Sequence, residues 1–138
     1  MHRIAAILWI SSLHLVAADI AGIWVGQIPV RNGEFLDVAF KFTQTGTVLG
    51  GKQYGDYRSS PITEGRIFGD QITFVVLSAE QNGNQINESR LRFTGVLKDG
   101  QLELTRERES SRNAGNGGDS QTKAEAGPKL TLRLKRLI

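Results

Sequence analysis

The chain has 138 residues, with 17 lysines and arginines against 14 aspartates and glutamates, and no cysteine. That length supports one domain with a real core, and a net charge of +3 is too mild to argue for a nucleic-acid partner. The absence of cysteine excludes disulfides, thiol nucleophiles, cysteine metal sites and a lipobox lipid anchor.

Residues 1–18 read as a secretory signal peptide. Arg3 supplies the positive start and residues 4–10 (IAAILWI) the apolar middle, while Val16 and Ala18 occupy the small positions before a cut after Ala18. Ser11 and Ser12 interrupt a run already short for a bilayer, so no stable membrane anchor is expected after cleavage. An uncleaved N-terminal anchor is the alternative. Residues 19–138 are then expected as a single secreted or periplasmic domain. Both histidines (His2, His14) and the methionine leave with the leader. Without them a histidine metal site and a Ser-His-Asp triad are excluded, and neither metal nor cofactor is expected.

Beyond residue 18 the period is two, broken by turn signals. Residues 20–30 form the first strand candidate, with Trp24 between Gly22 and Gly26 on one face. Residues 35–44 alternate most cleanly: Leu36, Val38, Phe40 and Phe42 oppose Asp37, Lys41 and Thr43. Thr45-Gly46 turns into residues 47–54, and a loop over 55–60 leads to a fourth strand at 61–68. There Ile62, Gly65 and Ile67 break the alternation, which suggests a bulge that turns Glu64 outward. Gly69-Asp70 turns into residues 71–79, with Ile72, Phe74 and Val76 aligned. A turn region at 81–85 (QNGNQ) precedes residues 87–98, with Leu91, Phe93, Gly95 and Leu97 aligned. Asp99-Gly100 is a two-residue hairpin signal before residues 101–109. Residues 129–137 close the chain, with Leu130, Leu132 and Leu134 inward. Residues 110–128 (SSRNAGNGGDSQTKAEAGP) hold no large apolar side chain and read as a flexible loop, either a tolerated insertion or a lid.

Eight strands joined by short turns predict an all-β fold, an antiparallel up-and-down β-barrel with no open edge. An open β-sandwich is the alternative. In such a barrel the first and last strands are neighbours. Arg136 shares the inward parity of Leu130, Leu132 and Leu134, so its guanidinium can stack on Trp24 and plug one end.

Gly22-x-Trp24 on the first strand, the eight-strand meander and a basic residue on the last resemble the lipocalin and avidin group of β-barrels, calycin-like in layout. The stretches DIAGIWVGQ, FKFTQTGTVLGG, PITEGRIFGDQITF, FTGVLKDGQLELTRE and LTLRLKR also resemble a group of small secreted bacterial proteins of uncharacterised function. Lys98-Asp99-Gly100 departs from the Thr-Asp-Tyr turn of true lipocalins, and the tryptophans of an avidin biotin site have no counterparts. The resemblance implies a barrel holding a small apolar or amphipathic ligand in its mouth.

The ligand-contact candidates are Tyr54, Tyr57 and Arg58 on the loop after the third strand, Arg106 on the seventh, and Phe42 and Phe74 inside. Arg106 and Arg108 follow Leu102 and Leu104 on the inward parity, where they suit a carboxylate or phosphate; their alternation with Glu107 and Glu109 equally suits a solvated strand end. Two functions remain open beside a carboxylate-based enzyme, for which no acid lies on an inward face. One is a small-molecule carrier, the other an interaction or inhibitor module with a secreted protein partner. Interior packing separates them. Rings of Phe40, Phe42, Phe68, Phe74 and Phe93 that fill the barrel favour the interaction module, and a cavity lined by them favours the carrier.

Overall fold

A computed structural model describes residues 16–29, 31–55, 58–82, 85–113 and 129–137. The leader residues 1–15 and the segment 114–128 lie outside the described residues. The strands are β1 (Gly22–Pro29), β2 (Phe35–Thr45), β3 (Val48–Gly55), β4 (Arg58–Phe68), β5 (Gln71–Asn82), β6 (Gln85–Lys98), β7 (Gln101–Asn113) and β8 (Leu130–Arg136). Each pairs antiparallel with the next, and β8 returns to β1, closing the barrel. The barrel, not the sandwich, is the architecture.

The two ends differ. At the closed end the chain turns tightly at Gly46-Thr47, Gly69-Asp70 and Asp99-Gly100. Asp99 (φ 53°) and Gly100 (φ 77°) sit between the paired residues Lys98 and Gln101. Two positive φ values in a two-residue loop match the right-handed twist of the strands, as the sequence signal requires. The open end is formed by the starts of β2, β4, β6 and β8.

Strands reach further at the open end than their side-chain pattern foretells. β4 starts at Arg58, β5 runs to Asn82, and β7 runs to Asn113. Residues 110–113, read from sequence as loop, pair with β6 through Arg90–Ser110, Ser89–Ser111, Glu88–Arg112 and Asn87–Asn113. Backbone hydrogen bonds extend a ladder past the point where apolar alternation stops.

The inward rows converge on four phenylalanines. Phe74 and Phe93 stack with centroids 4.8 Å apart, Phe40 and Phe42 stack at 5.7 Å, and the two pairs meet edge to face at 5.4–5.6 Å. Offset-stacked and edge-to-face contacts are the favourable arrangements of aromatic quadrupoles. Leu102, Leu104, Leu132, Leu134, Ile67 and Ile72 fill the space around them. Phe68 is a correction to the expected set. It is 60% exposed, while Ile67 takes the inward position. The cause is the bulge in β4: Thr63 pairs with Val75 but Arg66 with Thr73, so β4 carries one extra residue there. Glu64, at φ 53°, is turned outward as the sequence suggests, and Gly65 faces in against the Leu49 backbone.

Candidate functional site

The closed end is sealed by one ring and a short cap. Trp24 is 1% exposed, and its indole N–H donates to the Ile20 carbonyl at 2.9 Å. The Arg136 guanidinium lies 4.8 Å from the ring centroid and donates to the Asp19 carbonyl at 2.5 Å. The segment before β1 lies over this end. The Ala18 amide donates to the Gly69 carbonyl, and Gln44 holds the segment from both sides: Oε1 accepts from the Ile20 amide, and Nε2 donates to the Ala18 carbonyl, each at 2.9 Å. Trp24 and Arg136 meet as sequence parity suggests, and Gly26, on the same face as Trp24, makes room for the last strand. A Cβ there would lie 2.5 Å from the Arg133 carbonyl oxygen and 2.6 Å from Leu134 Cδ2, so Gly26 admits β8, not the tryptophan ring.

The open end holds a cleft of about 410 Å³. One wall is β7, whose inward row continues from Leu102 and Leu104 into Arg106 and Arg108. Arg106 is half-buried and stands opposite Phe93 on β6 and Leu130 on β8; Arg108 is exposed, opposite Leu91. Among the described residues the facing wall is polar, with Gln53 from β3, Ser59 and Ser60 from β4, Ser78 from β5 and Ser89 from β6. Ser78 and Ser89 face each other across the β5–β6 ladder, and Ser89 is the buried polar residue among those described. Leu91 and Pro61 add apolar surface. Among the described residues no three metal-ligating side chains converge.

The ligand candidates are divided by this geometry. Arg106 lines the cleft. Phe42 and Phe74 do not: both are buried in the ring cluster beneath it. Tyr54 stands on the outer face of β3, level with Ala39 of β2 and Val25 of β1, beside a shallow groove. Its neighbours Gln53 and Gly55 line the cleft instead. Arg58 is the first residue of β4, paired with Gly55, and Tyr57 lies outside the described residues. The serines went unnoticed in the sequence, although Ser78 shares parity with Phe74 and Val76, and Ser89 with Leu91 and Phe93.

Outside the barrel, acids and arginines form a chain across strands. Arg90 bridges Glu64 and Glu109, at 2.7 Å to the latter, and Glu109 also pairs with Arg92. Arg92 donates to the Thr73 hydroxyl at 3.2 Å. The hydrogen bond from Arg92, aided by Arg90, holds the Glu109 carboxyl below its ordinary range against partial desolvation. The hydrogen bonds to Glu109 and Glu64 raise Arg90. Val75 points to this side yet is fully buried, with Thr63 and Arg92 as its cross-strand neighbours, so the ion-pair chain stands over it.

Compared with protein-family models, with curated proteins and with solved structures, the chain matches none.

Proposed function

We propose that this protein is an exported binding module that takes one small amphipathic molecule at the open end of its barrel. The observation that supports this is the division of the interior. The four phenylalanines and their aliphatic neighbours occupy the middle, the Trp24–Arg136 plug with Asp19 and Ile20 closes one end, and a cleft of about 410 Å³ is at the other. That volume falls within the range of small-ligand sites, about 300–1,000 Å³. The ligand is therefore placed in the mouth, not among the rings, in a layout like that of lipocalins but with a filled interior.

Export rests on the leader pattern. A cut after Ala18 would leave Ile20, Trp24 and the Arg136–Asp19 bond in place and remove the two hydrogen bonds of Ala18. The test is native mass spectrometry of the protein recovered from the exported fraction of its producing cell. The expected result is a chain starting at Asp19 with a small extra mass that leaves on denaturation. A bare chain, unchanged by a panel of fatty acids and small aromatics, would argue against the reading.

The filled interior also favours a second reading, an interaction module with no small ligand. In that case a secreted protein partner, and no small molecule, would travel with the barrel on size-exclusion chromatography.

A further inference from the structure

The segment that covers the closed end contains the expected cut point. The inward row of β2 runs through Val38, Phe40 and Phe42 and then reaches Gln44, a half-buried amide at the rim. Its side chain serves residues 18–20 as a neighbouring strand would: Oε1 accepts from the Ile20 amide and Nε2 donates to the Ala18 carbonyl, each at 2.9 Å. The Ala18 amide donates to the Gly69 carbonyl at 2.9 Å, and the Asp19 carbonyl accepts from Arg136. Ala17 and Ala18 are half-buried against the apolar core, and Ile20 is fully buried.

A peptidase takes its substrate as an extended strand, with backbone hydrogen bonds for affinity and alternate side chains in pockets for specificity. In a signal peptide those side chains are the small residues one and three positions before the cut, here Ala18 and Val16. Val16 is 83% exposed, but the fold has already taken what Ala18 offers: the core takes its methyl, Gly69 its amide and Gln44 its carbonyl. Proteolysis of a folded chain follows the burial and bonding of the backbone at the cut, not its nearness to a terminus. Where local opening is fast, the rate scales with the fraction of molecules open at that point. One hydrogen bond shifts such an equilibrium about fivefold, so the two at Ala18 alone hold the open fraction to about one in thirty.

We propose that the Ala18–Asp19 bond is a processing site that the closed barrel shields, so that the leader is removed while the chain is still unfolded and a chain that folds first keeps it. The reaction is hydrolysis by an external peptidase. The bond between the Ala18 carbonyl carbon and the Asp19 nitrogen breaks, and water supplies the hydroxyl to the carbonyl and the proton to the leaving amine. The cut molecule loses the two bonds of Ala18 and keeps those of Asp19 and Ile20 to the barrel, so closure does not depend on the leader. The Gln44 amide then retains the Gly46 carbonyl as acceptor, at 3.2 Å. This rests on the cut falling after Ala18, as proposed above.

The test follows cleavage of the full chain, leader included, by a purified signal peptidase in detergent, with intact-mass spectrometry locating the cut. In one arm the peptidase is present as the chain is diluted out of urea. In the other it is added after circular dichroism in the same detergent shows that folding is complete. The first arm is expected to yield a chain starting at Asp19, and the second to yield it about thirtyfold or more slowly. Gln44→Ala, which frees the Ala18 carbonyl and the Ile20 amide, should speed cleavage of the folded chain about tenfold, while Lys52→Gln, exposed on the outer face of β3, should not. The two arms differ by no substitution, so their comparison stands even if Gln44→Ala fails to fold. Equal rates in the two arms would overturn the shielding and leave the cut point standing. A cut at another bond in both arms, or in neither arm any cut at all, would overturn the cut point and the proposal with it.

Discussion

Replacing Trp24 with alanine takes away the seal of the closed end. The ring is 1% exposed, its N–H is bonded to the Ile20 carbonyl at 2.9 Å, and the Arg136 guanidinium lies 4.8 Å from its centroid. Truncating a buried aromatic of this size costs about 3–5 kcal/mol. Part of that, about 1 kcal/mol, is the indole hydrogen bond. Trp24→Phe keeps a ring of lesser volume and loses that bond, so it should cost about 1–2 kcal/mol. A domain of this size unfolds in urea with a slope of about 1–3 kcal/mol per molar. The alanine variant should therefore lower the urea midpoint by about 2 M and the phenylalanine variant by less than about 1 M, followed by far-ultraviolet circular dichroism at neutral pH. A shift below about 0.3 M for Trp24→Ala would show that the ring rests on the barrel without holding it closed.

Three further outcomes are expected. Gly26→Ala should destabilise by about 1–3 kcal/mol in the same titration, because the new methyl meets the Arg133 carbonyl and Leu134; Gly100→Ala, which meets nothing but needs φ 77°, should cost only about 1 kcal/mol. Phe74→Ala, with a fully buried ring in contact with three other phenylalanines, should cost about 3–5 kcal/mol and leave a void in the barrel; a loss under about 1 kcal/mol would contradict a filled interior. Glu109 governs an acid-side dependence. Its folded pKa lies below the ordinary 4.5, so its contribution is present above that pH and is lost as the pH falls through the lowered value. Thermal melts across the acid range should show the unaltered protein losing stability more steeply than Glu109→Gln, and parallel curves would refute the role given to the ion pairs.

The fold was legible because a closed barrel buries one side of every strand. Val38, Phe40 and Phe42, then Ile72, Phe74 and Val76, then Leu132 and Leu134, announce the inside by alternation alone. Even the bulge at Glu64 left a trace, since Ile62, Gly65 and Ile67 cannot share a face without an extra residue. The strand ends at 80–82 and 110–113 left none, because backbone pairing holds them and their side chains are polar. The site was legible only in part. Arg106 kept the parity of Leu102 and Leu104 and could be placed inside. Tyr54 was misplaced to the mouth because proximity in sequence to a loop says nothing about which side of the strand a ring takes. The cap over Trp24 depends on Gln44 reaching a segment 24–26 residues away, a contact without local periodicity.

The most direct measurement is a titration of the isotopically labelled chain with octyl phosphate, followed through backbone amide chemical shifts. Binding at the open end predicts that Ser60, Ser78, Ser89, Arg106 and Arg108 move together and saturate, while Trp24, Ile72 and Leu102 toward the closed end stay still. Saturating shifts confined to Val25, Ala39 and Tyr54 on the outer face, or no saturable shift at all, would contradict a ligand site in the mouth of the barrel.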